Sequence, residues 1–179
     1  PQVPAIVTLG EPQKPYAPWR TNTMYHLENY RAALDAPGEW FLDRDGTLYY
    51  HPLPGEDVAS AKVYAPLAEK FLLFQGDPAA GKLVEFLTIR DLNFQHAGYT
   101  LPPQGYEPFQ AAFPVEAAVM LNGTHHVVLA DCEIAHIGGY SVWFRRGCRD
   151  CRIEGSYLHD LGAGGVRISE GGIAADERE

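Results

Sequence analysis

Seven positions in the C-terminal part of the chain recur after 24 residues. The recurring pairs are Leu129/Ile153, Ile134/Leu158, His136/Asp160, Gly138/Gly162, Val142/Val166, Phe144/Ile168 and Gly147/Gly171. An earlier copy of four of these positions lies 40 residues upstream, at Ile89, Phe94, His96 and Gly98. This longer spacing leaves room for one repeat and a 16-residue insertion. A period between about 20 and 50 residues is typical of solenoids, in which equivalent positions of successive repeats stack into ladders.

Each copy of the repeat is a β unit. It contains two short runs in which apolar and polar residues alternate, and polar turns separate these runs. No copy contains ten consecutive residues with helical spacing. The pattern predicts an all-β fold: a right-handed, single-stranded parallel β-helix (a pectate-lyase-like solenoid) with a small N-terminal hairpin and loop region. Val142 should then lie over Val166, and Phe144 over Ile168. The alternative is an antiparallel sandwich with accidental spacing.

The order of these patterns predicts two regions. Residues 1–69 form an N-terminal region with an extended proline-rich segment, a short helix over Glu28–Asp35, a β-hairpin around Asp45–Gly46 and a strand at Lys62–Pro66. Residues 70–179 form the first repeats of the β-helix. Because the last repeat has no recognisable cap, we expect a segment of a longer protein. The rest of the same polypeptide, or a further copy, would cover its open end.

Charge and composition argue against some classes of partner. The net charge is −9, and no Lys/Arg cluster accompanies exposed aromatic residues, so nucleic acid is not an expected partner. The sequence has neither a signal peptide nor an apolar run long enough to span a bilayer, so no membrane association is expected. Of the three cysteines, Cys132 falls at an inward position equivalent to Ser156. The single CxxC pair, Cys148 and Cys151, predicts neither zinc nor redox chemistry.

Four segments resemble a known family. They are GEWFLDRDGTLYYHPLPGE, LPPQGYEPFQAAFP, CEIAHIGGYSVW and SYLHDLGAGGVRISEG. Together they resemble bacterial right-handed parallel β-helix proteins among the carbohydrate-active enzymes, and most closely glycoside hydrolase family 141, which includes fucosidase and xylanase activities. The resemblance covers most of the chain. It implies a secreted or periplasmic protein of several hundred residues that acts on an oligo- or polysaccharide.

One polar ladder runs through equivalent positions of three successive repeats. His96, His136 and Asp160 should lie about 5 Å apart in turn, within hydrogen-bonding reach of one another. His159 adjoins Asp160, and Glu133 lies just before Ile134. Asp160 is a catalytic candidate and the other four residues are substrate-binding candidates. The alternative is a row of strand-end side chains that satisfies backbone groups of the turns, and no metal site is predicted.

A second ladder follows the neighbouring strand. Trp143, Arg145 and Arg167 face outward, because the residues that alternate with them point into the repeat. Trp143 is a candidate for stacking on a sugar ring, and Arg167 for binding hydroxyl or carboxylate groups. The alternative for these two residues is a surface cation–π pair. Arg146 should pair with Glu170, one repeat away.

A glycosidase acting on plant or other polysaccharide is the predicted function. Glycoside hydrolysis commonly uses two carboxyl groups. Asp160 is the first catalytic candidate and Glu170 the second, with Glu133 as the alternative to Glu170. A polysaccharide lyase or uronate epimerase and a non-catalytic sugar-binding or structural β-helix are the alternative functions. No cofactor is expected, and calcium belongs to the lyase alternative.

The ladders also predict the shape of the site. The run Gly162–Gly165 should clear space beside Asp160. The irregular insertion Tyr99–Val115 should border the site, since such loops often carry function. Four candidates are expected to face one groove: His136, Asp160, Arg167 and Glu170.

Overall fold

The structure is a computed structural model that describes residue 24 and residues 29–102, 112–113 and 115–170. The proline-rich N-terminal segment, most of the insertion and the repeat position at Gly171 lie outside the described residues. The chain divides into two compact units between Lys62 and Val63. The sequence had suggested a boundary at residue 69.

The first unit contains a β-hairpin. Strand β1 (Trp40–Leu42) pairs antiparallel with β2 (Leu48–Tyr50), so the hairpin predicted around Asp45–Gly46 is confirmed. Gly46 has a φ of 88°, and the Asp45 carboxylate accepts a hydrogen bond from the Thr47 N–H at 2.8 Å. These are the conformation and the side-chain contact that a tight turn favours.

The helix predicted over Glu28–Asp35 is much shorter in the described residues. Only Arg31–Ala33 is helical, as a single 3-10 turn. It ends at Leu34, whose φ of −80° and ψ of 76° leave the helical region. Its N-cap, Tyr30, makes no side-chain cap hydrogen bond, and no residue of the turn is buried. Neither capping nor packing therefore extends the helix.

The second unit is built from short strands. These are β3 (Leu72–Gln75), β4 (Val84–Glu85), β5 (Thr88–Arg90), β6 (Asn93–Ala97), β7 (Ala117–Asn122), β8 (Thr124–His125), β9 (Val128–Ala130), β10 (Glu133–Ile137), β11 (Tyr140–Phe144), β12 (Arg152–Glu154), β13 (Tyr157–Leu161) and β14 (Val166–Ile168). A 3-10 turn at Pro78–Ala80 follows β3. The strand predicted at Lys62–Pro66 is absent from these assignments. Val63 and Tyr64 are exposed there, so no buried face holds them in a sheet.

The strands of this unit pair in parallel and form four sheets. Their orders are β13-β10-β6, β14-β11-β7-β3, β12-β9-β5 and β4-β8. Val142 pairs with Val166, and Phe144 with Ile168, as the 24-residue period predicts. Ile89 pairs with Leu129 across the 40-residue spacing. The fold is therefore all-β with parallel sheets, and the antiparallel sandwich alternative is wrong.

Apolar side chains that point inward from the sheets form the core. Val119, Leu121, Leu129, Ile134 and Val142 have at most 1% of their surface exposed, and they pack in one cluster. Burying each such side chain stabilises the fold by about 1.5–3 kcal/mol relative to exposure. Cys132 is also buried, and its N–H donates a hydrogen bond to the Ser156 hydroxyl at 3.1 Å. The predicted inward position of Cys132 is confirmed.

Residues with positive φ form three columns, of which two follow short strands or bridges and the third lies near the ends of β6, β10 and β13. One column is Phe86, His126 and Asp150, a second is Asp91, Asp131 and Gly155, and a third is His96, His136 and Asp160. All nine residues have φ values between 50° and 63°. Asp and His tolerate this left-handed region better than most residues, so the backbone itself favours them at these positions. The left-handed backbone therefore gives a structural reason for the His and Asp residues of the polar ladder.

Candidate functional site

The outer face of the sheet β6-β10-β13 carries the candidate site. Glu133 lies beside Tyr157 in the register, and Ala135 lies beside His159. His136 and Asp160, which have positive φ, lie near the ends of the same two strands. We call Glu133, His136, His159 and Asp160 the imidazole–carboxylate cluster.

His136 and Asp160 form the first pair of this cluster. The Nδ1 atom of His136 lies 2.5 Å from Oδ2 of Asp160, and both side chains are well exposed. The His136 ring stacks on the His96 ring, with centroids 4.8 Å apart, and His96 stacks on Tyr64 at 4.2 Å. The column fixes the plane of the His136 ring, while Asp160 binds one of its two nitrogens. This arrangement leaves Nε2 as the atom that can exchange a proton with a ligand.

Glu133 and His159 form the second pair. His159 Nε2 lies 2.9 Å from Glu133 Oε1, and the Gln95 side-chain amide donates to Oε2 at 3.1 Å. The hydrogen bond from His159 lowers the pKa of Glu133, with smaller contributions from Gln95 and from the charges of His159 and His136. His159 also stacks on Tyr157, whose ring centroid is 4.1 Å away. Glu133 is therefore held as a carboxylate by groups that also fix its position.

The two pairs are contiguous. The rings of His136 and His159 meet edge to face, with centroids 6.1 Å apart. Two carboxyl groups and two imidazoles consequently line one continuous surface that solvent reaches. Carboxyl and imidazole groups are the side chains most often used for general acid–base catalysis.

A second group of side chains lies on β11, β14 and the residues after them. We call Trp143, Arg145, Arg167 and Glu170 the tryptophan cluster. Arg145 donates two hydrogen bonds to Glu170, at 2.8 and 3.0 Å. These bonds lower the pKa of Glu170 and raise that of Arg145. Arg146, the predicted partner of Glu170, also contributes to this cluster, because its backbone N–H and its positive charge both lower the pKa of Glu170. The bidentate side-chain partner of Glu170 is the preceding residue, Arg145.

Trp143 points away from the apolar core but has only 6% of its surface exposed. The guanidinium carbon of Arg167 lies 3.6 Å from the centroid of its ring, and that of Arg145 lies 4.6 Å away. The indole N–H donates to the Ser169 carbonyl at 2.8 Å. The cation–π contact named as the alternative for Trp143 and Arg167 is therefore present, and the two guanidinium groups cover the indole ring. Stacking of Trp143 on a sugar stays a prediction.

Arg167 connects this cluster to the insertion. It also stacks over the Phe113 ring, at 4.6 Å, and donates a hydrogen bond to the Phe113 carbonyl. Its guanidinium therefore holds the end of the insertion against β14. This arrangement differs from the expected role of Arg167 in binding substrate.

The structure places the four groove candidates in two clusters on two sheets. His136 and Asp160 belong to β10 and β13, whereas Arg167 and Glu170 lie on and after β14. Gly162 was expected to leave open space beside Asp160, but it lies close to the backbone of Gly138. A Cβ atom there would lie 2.4 Å from the Gly138 carbonyl oxygen, so close stacking of the two backbones requires glycine. Among the glycines of the run Gly162–Gly165, Gly165 alone has no heavy atom within 4 Å of an added Cβ atom.

Three contributors to the site were missed by the sequence analysis: Tyr64, Gln95 and Tyr157. The 24- and 40-residue spacings place Tyr157 and Gln95 beside Glu133 and Ala135, so the period contains the signal for both. Tyr64 lies before the first repeat, and no periodicity predicts its stacking on His96. In the described part of the chain, no three His, Cys, Asp or Glu side chains form a group that could hold a metal ion.

Comparison with known proteins finds no matching family model, no matching curated protein and no matching solved structure. Within the described residues, no helix is both long and apolar enough to cross a membrane. The site is therefore interpreted from its own geometry.

Proposed function

We propose that this chain carries the first repeats of a right-handed parallel β-helix and acts as a glycoside hydrolase on an oligo- or polysaccharide. The parallel pairing of strands 24 and 40 residues apart supports the fold. Three sheets share one arrangement, in which β10, β11 and β9 each lie between a later and an earlier strand of the chain. The resemblance to glycoside hydrolase family 141 supports the substrate class and export from a bacterial cell.

The observation that carries the function is the contiguous imidazole–carboxylate cluster. Asp160 and Glu133 supply two carboxyl groups on one exposed sheet face, each fixed by its own imidazole. Glu170 suits the second role less well, because Arg145 occupies both of its oxygens. We therefore assign catalysis to Asp160 and Glu133. Glu133 thus replaces Glu170 as the second catalytic carboxyl group, which is the alternative that the sequence also supports.

The roles of the two carboxyl groups follow from their surroundings. The lowered pKa of Glu133 keeps this group in the carboxylate form that a general base requires. Asp160 is the second carboxyl group of the pair, and His136 holds it in place. Glu133 and Asp160 differ by three positions along the strand direction and lie on adjacent strands.

Tyr157 completes the proposed site. Its side chain is 64% exposed and lies beside Glu133 on the sheet. An exposed aromatic ring can pack against the apolar face of a sugar. Tyr157 thus takes the role that the sequence analysis gave to Trp143.

The test is hydrolysis of a panel of neutral and acidic polysaccharides, measured by release of reducing ends. Asp160→Asn and Glu133→Gln should each lower kcat by about 100-fold or more, since each removes a proton-transfer group. Glu154→Gln is the matched control, because this exposed carboxylate pairs with Arg152 outside the cluster. Near-normal turnover of Asp160→Asn would overturn the proposal. Products with unsaturated ends would indicate a lyase, and binding without cleavage would indicate a non-catalytic module.

A further inference from the structure

A cavity of about 330 Å³ lies at the turn that follows β6 and β10. Its apolar part is formed by Tyr99, Pro102, Val115 and Ala118, together with backbone of Gly98 and Gly139. The volume falls within the range of about 300–1,000 Å³ that is usual for small-molecule sites. The tyrosine ring and the aliphatic groups give the cavity one apolar wall.

The polar part of the cavity carries more negative than positive charge. Lys70 Nζ lies 2.5 Å from Glu116 Oε2, with the two side chains 31% and 52% exposed. Glu69 also lines the cavity and accepts a hydrogen bond from the Thr100 N–H at 3.1 Å. Two carboxylates therefore face one ammonium group. An added carboxylate from a ligand would meet a net negative charge there, which disfavours its binding.

The cavity adjoins the imidazole–carboxylate cluster along the chain. Gly98 follows His96 by two residues, and Gly139 follows His136 by three. The Gly138 N–H donates to the Ala97 carbonyl at 2.8 Å, so the repeats stay stacked up to this point. At roughly 3.3 Å per residue, the cavity begins within about 7–10 Å of the stacked His96 and His136. A chain of two sugar rings can bridge such a distance.

We propose that this cavity is a subsite for a sugar ring that carries no carboxylate, and that this ring belongs to the glycan cleaved at the imidazole–carboxylate cluster. The apolar face of the ring packs on Tyr99 and Val115. Its hydroxyl groups donate to Glu116 and accept from Lys70, which exchange part of their mutual ion pair for these contacts. The proposal rests on the proposed function and adds the class of sugar that this end of the site accepts.

Three variants test the subsite: Tyr99→Ala, Glu116→Gln and Lys70→Gln. Binding is measured by titration calorimetry with an uncharged xylo- or gluco-oligosaccharide of four rings and with an oligogalacturonate of equal length. The wild-type chain should bind the uncharged oligosaccharide at least about tenfold more tightly. Each variant should raise its Kd and its KM by about tenfold, with kcat within about threefold of the wild type. Glu154→Gln is again the control, and melting curves establish that each variant is folded.

The outcomes separate the subsite from the proposed function. If Asp160→Asn abolishes turnover while the three variants keep wild-type Kd and KM, the subsite is wrong and the hydrolase stands. If no glycan is cleaved but Tyr99→Ala and Lys70→Gln still weaken binding of the uncharged oligosaccharide, the subsite stands and the hydrolase fails. Tighter binding of the oligogalacturonate than of the uncharged oligosaccharide would overturn the assigned class of sugar.

Discussion

Asp160 combines two properties that are normally considered apart. Its φ of 51° lies in the left-handed region, which Asp, Asn and Gly tolerate best, and its carboxyl group binds the His136 imidazole. The residue type is therefore explained by the turn alone, and the hydrogen bond to His136 is the additional observation that points to chemistry. Substitutions can separate these two roles.

Asp160→Gly should preserve stability and abolish turnover, because glycine adopts positive φ without cost but has no carboxyl group. Asp160→Val should lower the free energy of unfolding by about 1–2 kcal/mol, since a left-handed conformation is unfavourable for a side chain with a branched Cβ. Denaturant unfolding and a hydrolysis assay on both variants check the prediction. A stable Asp160→Gly chain with full activity would limit Asp160 to its role in the turn.

Glu133 provides a prediction about pH. Its pKa is lowered, first by the hydrogen bond from His159, so the folded state holds this carboxylate more strongly than the unfolded state does. The resulting stability is present above the ordinary glutamate pKa of about 4.3 and is lost as pH falls through the lower folded value. His159→Gln should move the pKa of Glu133 upward, which carbon-detected NMR titration measures directly. An unchanged Glu133 titration in the His159→Gln variant would contradict the assigned cause.

At the scale of strands and turns, the period was sufficient to predict the register. Ile134 pairs with Leu158 and Val142 with Val166, because a repeated inward apolar position must fall on the same face of successive parallel strands. The contacts of long side chains were less predictable. Arg145 reaches Glu170 diagonally, and this contact does not follow from spacing, since side chains of this length reach several neighbours. Arg167 lies beside Trp143 in the register, so the period did offer their cation–π contact as an alternative.

The glycines after β13 provide a prediction at this scale. Gly162→Ala should lower the free energy of unfolding by about 1–3 kcal/mol, because the new methyl group would press on the Gly138 carbonyl. Gly165→Ala is the matched control, with open space around its added atom, and should change stability by less than about 1 kcal/mol. Chemical denaturation measures both. Equal effects of the two substitutions would show that the repeats are not stacked as closely as described.

At the scale of the whole molecule, the last strands differ from the middle ones. Val142 is fully buried, whereas its partner Val166 is 43% exposed and the neighbouring Ile168 is 75% exposed. Among the described residues, β12, β13 and β14 each pair with a strand on one side only. Such an edge combines unpaired backbone groups with apolar side chains, and both favour association.

We therefore expect the chain to self-associate through this edge as its concentration rises. Ile168→Lys should shift the population toward the monomer, because a charge at the edge opposes strand pairing. Leu67→Lys is the control, since Leu67 is 99% exposed and lies outside the sheets. Sedimentation velocity over a concentration series measures the effect. A chain that stays monomeric throughout the series would show that this edge is covered in solution.

Because equivalent residues are 24 apart, the paired strands of the second unit can gain or lose residues without a change of register only in multiples of 24. Residues 24 apart pair in parallel, so removing one residue from a strand would shift every later side chain to the opposite face. Removing a complete set of 24 residues would instead return the chain to the equivalent position, with the same neighbours above and below. The insertion between β6 and β7 shows that the connection between repeats accepts extra residues without loss of register. Such a chain can gain or lose surface by duplication of one segment, while the connections between strands vary independently of the sheets.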